Sequence, residues 1–96
     1  MTSHHELRLL PWTSPDGKPC LLSTDDSDSR LSRLADSTEA TQLNLAAGLM
    51  HLAAEELHCN EVHLEDLRSL VADLVDALHS TLRVAESRGQ RLFATR

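Results

Sequence analysis

At 96 residues the chain has room for one small hydrophobic core and not for two. Apolar residues make up 41 % of it and aromatics only 2 %, with leucine and alanine dominant, a composition that favours helix over strand. A formal charge of −6 excludes a nucleic-acid surface over the whole domain, because phosphate repels an acidic protein.

The opening MTSHHELRLL lacks the continuous apolar run of a secretory signal, and His4 and His5 read as part of a mobile N-terminus. Residues 6–24 then read as a β-hairpin. Glu6 to Leu10 alternates in part, and Pro11 and Trp12 lead into Ser14-Pro15-Asp16-Gly17. Pro15 supplies the fixed φ of the first corner, Asp16 tolerates the second, and Gly17 takes positive φ. Lys18 to Ser23 returns as the second strand, with Cys20 and Leu22 on one face. Pro11 and Pro19 cannot donate ladder hydrogen bonds, so both strands are expected to be short or at an edge. A lone hairpin is marginal in water and must lie on something; Trp12 is the expected anchor.

Thr24 to Ser29 is polar and acidic and reads as a solvated loop, without the glycine and distal glutamate of a calcium-binding loop. RLSRLA, Arg30 to Ala35, fits a third strand or an early helical turn. The better helix start at Asp36, which can cap while Glu39 reaches back, favours an extended segment there. The N-terminal portion, 6–35, is thus a hairpin or short three-strand meander carrying an acidic loop.

From 37 to 58 the helical signal is strong. Leu43, Ala46, Met50, Ala53 and Leu57 keep a 3-4-3-4 spacing, and Leu45, Leu49 and Leu52 make an adjacent stripe. A second helix is expected over 61–88, capped by Asn60 and stopped by Gly89, with 89–96 a basic tail. Its seam is Leu64, Leu67, Val71, Leu74, Leu78, Thr81 and Ala85, widened by Leu70, Val75, Ala77 and Leu82. Both faces are broader than one antiparallel partner covers. The predicted architecture is therefore α+β, mostly α: a single domain whose hairpin packs on an antiparallel helical hairpin, dimerising into a four-helix bundle. The expected interface is Leu45, Leu49, Leu52, Leu67, Val71, Leu74 and Leu78.

Two further constellations carry chemistry. LHCNEVH, Leu57 to His63, offers His58, Cys59 and His63 to a zinc ion, with Glu55 or Glu61 as a fourth ligand. The spacing matches no familiar zinc pattern, and a helix–helix turn accounts for the same residues, so no metal or other cofactor is expected. Arg83, Arg88, Arg91 and Arg96 form a local basic patch against Glu86 alone. They suit the C-terminal end of a helix, and doubled by a dimer they offer an alternative nucleic-acid contact. His51, His58 and His79 read as packing residues rather than a pH switch. No Gly-x-Ser-x-Gly elbow, no glycine-rich phosphate loop and no placeable nucleophile–base pair occurs, so an enzyme is not expected.

Pro11-Trp12 followed by Pro15-Asp16-Gly17-Lys18-Pro19-Cys20, then Leu31-Ser32-Arg33-Leu34-Ala35-Asp36 with Glu39 and Gln42, then Leu82-Arg83-Val84-Ala85-Glu86-Ser87-Arg88-Gly89 resemble a group of proteins. The group consists of short, largely uncharacterised actinobacterial proteins of Streptomyces type. The resemblance spans most of the chain and implies a cytoplasmic bacterial protein encoded near regulatory genes; it implies no activity and no site residues. Two well-separated cysteines, Cys20 and Cys59, are likewise expected to be free thiols in a reducing cytoplasm. No stretch reaches membrane-spanning length without charges. The function expected is a non-catalytic interaction or regulatory module, a homodimer with a protein partner of unknown identity.

Overall fold

The computed structural model describes residues 6–24 and 30–94, with side chains over 7–23 and 30–90. The four elements are β1 (Glu6–Thr13), β2 (Pro19–Thr24), α1 (Arg30–Glu56) and α2 (Leu64–Ala94). The fold is α+β and mostly helical, an antiparallel two-strand hairpin set against a helical hairpin. His4, His5 and the acidic loop at 25–29 lie outside the described residues.

The β-turn forms as its residues dictate. The Gly17 amide donates to the Ser14 carbonyl at 2.9 Å, and Gly17 sits at φ 82° where a side chain would be strained. Ser14 Oγ donates to Asp16 Oδ1, which lowers the Asp16 pKa below the ordinary carboxylate range. Arg8 pairs with Leu22 and Leu9 with Leu21, but the next pair is Thr13 with Pro19. Three β1 residues, Leu10 to Trp12, thus oppose Cys20 alone. This bulge falls where Pro11 has no N–H to give the ladder. It also turns the Pro11 carbonyl outward, where Gln42 Nε2 donates to it at 2.8 Å and Arg83 Nη1 at 3.5 Å.

α1 starts at Arg30, so residues 30–35 are helix, and among the described residues the sheet has no third strand. The less exposed positions of α1 are Ser32, Ala35, Thr38, Glu39, Gln42, Leu43, Ala46, Leu49, Ala53 and Glu56, a 3-4 alternation widened at Thr38 and Leu43. That register runs through Asp36, which pairs with Arg8 instead of capping. α2 starts at Leu64: the Leu67 amide donates to the His63 carbonyl at 3.0 Å, so His63 and not Asn60 holds the capping position. α2 also continues through Gly89 to Ala94, and the expected tail is mostly helix. Glycine costs a helix about 1 kcal/mol and does not stop one unless it turns to positive φ, which among the described residues only Gly17 does.

β1 lies between the helices at one end of the molecule. Arg8, Leu9, Leu10 and Pro11 are all buried, and Trp12, the expected anchor, is only half-buried. The rest of the core is Ala35 and Val84, with Ser32, Glu39 and Ser87 buried beside them. Beyond the hairpin the two helices run on with, among the described residues, only each other for cover. The radius of gyration is 17.1 Å, against about 13 Å for a compact chain of this length.

Candidate interaction surface

Two kinds of surface come out of this arrangement, one charged and internal, the other apolar and external. Inside, Arg8 Nη2 lies 2.6 Å from Asp36 Oδ1 and 3.3 Å from Glu39 Oε2, and Nη1 donates to the Ser32 carbonyl at 3.2 Å. Arg88 Nε approaches Glu39 Oε1 at 3.7 Å from a more exposed position. Glu39 is 1 % exposed, and the two guanidinium groups that face it offset the cost of burying its carboxylate. The cluster fastens β1 to α1 and α1 to α2. It was hidden in the sequence because Arg8 sits in an apolar strand and Glu39 resembles a capping residue.

Outside, the wide apolar face of α2 divides in two. Leu70, Leu74, Ala77, Thr81 and Val84 are half-buried or buried and form the inner side of the helix. Leu64, Leu67, Val71, Val75, Leu78 and Leu82 are exposed, at steps of 3-4-4-3-4 along one side of the helix. At 3.6 residues per turn the two stripes lie about 100° apart. Three of the expected interface residues, Leu67, Val71 and Leu78, are therefore on the outer stripe; Leu74 is on the inner one. On α1, Leu45 and Leu52 are exposed and Leu49 is half-buried. Leu64, Val75 and Leu82 complete the outer stripe, and only the split between covered and uncovered leucines distinguishes them.

Two cavities of about 300 Å³ accompany these faces. One lies between the helices, with Leu45 and Leu49 on one wall, Ala77 and Ser80 on the other, and Asp73 and Asp76 beside them. The second lies between the hairpin and α2, lined by Leu9, Thr13 and Pro19 opposite His79, Leu82, Arg83 and Glu86.

The remaining candidates are dispersed. His58, Cys59 and His63 are exposed in the connection between the helices, where the Cys59 thiol approaches the Glu55 carbonyl at 3.6 Å. Among the described residues no three His, Cys, Asp or Glu side chains converge as metal ligands, so the turn does not assemble the zinc set. Of the four arginines, Arg83 is drawn to the Pro11 carbonyl and Arg88 to Glu39. Arg91 lies in α2 beyond the described side chains, and Arg96 lies outside the described residues. Both cysteines are free, and no described helix is long and apolar enough to cross a membrane. Compared with known protein families, characterised proteins and solved structures, the chain matches none.

Proposed function

We propose that this chain is a non-catalytic interaction module of the cytoplasm that works as a homodimer, its helical hairpins joining in a four-helix bundle. Regulation of a protein partner through the surface left free is the role this reading assigns to it. The outer stripe of α2 carries the proposal. Six leucines and valines in helical register stay exposed, and burying each one fully is worth about 1.5–3 kcal/mol. A contiguous apolar strip of that kind marks a contact surface rather than a solvated face.

The test is mass at several concentrations, by native mass spectrometry or sedimentation. The wild-type chain is expected at twice 10.6 kDa. Leu78→Glu is expected at the monomer mass with most helical circular dichroism kept, because Leu78 is 59 % exposed within one chain. Leu74→Glu, which reaches into the inner seam, is expected to lose both dimer and fold. A wild-type protein that remains monomeric at all concentrations refutes the proposal.

A further inference from the structure

We infer that the second copy docks antiparallel along α2, with a two-fold axis passing the helix at the level of Asp73. This rests on the homodimer reading above and adds which helix forms the seam, in which direction, and at which register.

The outer stripe has a symmetry of its own. Read from either end it is Leu, Leu, Val: Leu64, Leu67 and Val71 from one side, Leu82, Leu78 and Val75 from the other. Leu64 with Leu82, Leu67 with Leu78 and Val71 with Val75 are each centred within one residue of position 73. A two-fold interface is self-complementary, each residue meeting the one that meets it in return. Laid antiparallel on itself, this stripe sets leucine on leucine at both ends and valine on valine at the centre. A parallel pairing has no use for that symmetry.

Charge selects the same direction. The approach to α2 and its first half carry Glu61, Glu65, Asp66, Asp73 and Asp76 against Arg68 alone. The second half carries Arg83, Arg88 and Arg91 against Glu86. Antiparallel copies with the axis at 73 bring Arg83 of one helix level with position 63 of the other, between Glu61 and Glu65, whereas parallel copies in register put Arg83 beside Arg83 and Glu65 beside Glu65.

The first helix fits the same axis. Glu39 beside Arg88, and Leu45 across a groove from Ser80, set the register within the chain and bring Ala53 roughly level with Asp73. Met50 and Leu57 fall on either side of that level and are 70 % and 85 % exposed. Each follows an inner residue, Leu49 or Glu56, as Val71 and Leu78 follow Leu70 and Ala77. In an antiparallel helix pair such positions share a flank. Met50 and Leu57 therefore border the outer stripe near its centre, so the apolar surface is widest where the axis passes.

Spin labels test the geometry in a Cys20→Ala, Cys59→Ser background, one label per chain, at Ala72 or at Glu86; both positions are exposed. With the axis at residue 73, the Ala72 labels of the two copies are expected within about 20 Å, since packed helices lie 8–10 Å apart. The Glu86 labels, each thirteen residues from the axis, are expected about 39 Å apart along the helices. Short distances at both positions mean parallel helices and overturn the inference. So does a dimer whose Ala72 labels are far apart, which leaves the homodimer standing on another face. A monomer gives no distance between copies and overturns both.

Discussion

The two ends of this molecule are built from opposite materials. Where the hairpin docks, the interior holds Arg8, Glu39, Ser32 and Ser87 among Leu9, Leu10, Ala35 and Val84, so polar side chains are as deeply buried as apolar ones. At the far end Met50, Leu52, Leu57, Leu64 and Leu67 face outward and stay exposed among the described residues. Burial in a small chain is not assigned by hydrophobicity alone. The hairpin end spends its coverage on a charge cluster that fixes how three elements meet, and the apolar surface left over is what a second molecule can use.

Removing the cluster's central cation is the harshest way to break that contrast. Arg8→Ala removes the nearer of the two guanidinium groups that face the buried Glu39, and breaking a buried ion pair by taking away one partner costs about 3–5 kcal/mol. Thermal unfolding is expected to fall by many degrees or to lose its cooperative transition. An unchanged melting temperature would mean that the hairpin contributes little to the fold. The bulge carbonyl gives a milder probe. Gln42→Ala removes the better of the two bonds to Pro11 and is expected to cost about 1 kcal/mol in urea unfolding, with the dimer intact. The smallest effect belongs to the turn. Because the folded pKa of Asp16 is depressed, its stabilisation is present above the unfolded value and is lost as pH falls through the folded one. Amide protection factors in β1 and β2, taken relative to the intrinsic exchange rate at each pH, should therefore fall in acid, and Asp16→Asn should flatten that dependence while leaving the helices alone.

The hairpin and its turn were readable because the signals are local: Pro15, Asp16 and Gly17 each dictate their own backbone angle. The middle of α1 was readable because its buried positions carry leucine and alanine. The start of α1 was not, because its inward positions there are Ser32 and Glu39, which break any search for apolar periodicity. Asp36-Ser37-Thr38-Glu39 meanwhile imitates a capping box. Gly89 misled in the same way, a local stop signal that the helix runs through on its way to Ala94. The interface was readable as to residue type and not as to side. Leu67, Val71, Leu74 and Leu78 all carry the apolar signal, and only the path of α1 decides that Leu74 turns inward and the others outward.

The Pro11 carbonyl also has a consequence for how the chain comes to be folded. It joins residue 11 to residue 42 and to residue 83, separations of 31 and 72 positions. The bond to residue 83 cannot form while a ribosome has made only the first half of the chain, and its loop-closure cost falls late. The hairpin can curl up early as a marginal structure, but its seat exists only once α2 has emerged. During synthesis the nascent protein therefore carries Leu9 and Leu10 uncovered until the stretch around Val84 arrives, so that first-made and last-made segments complete the core together.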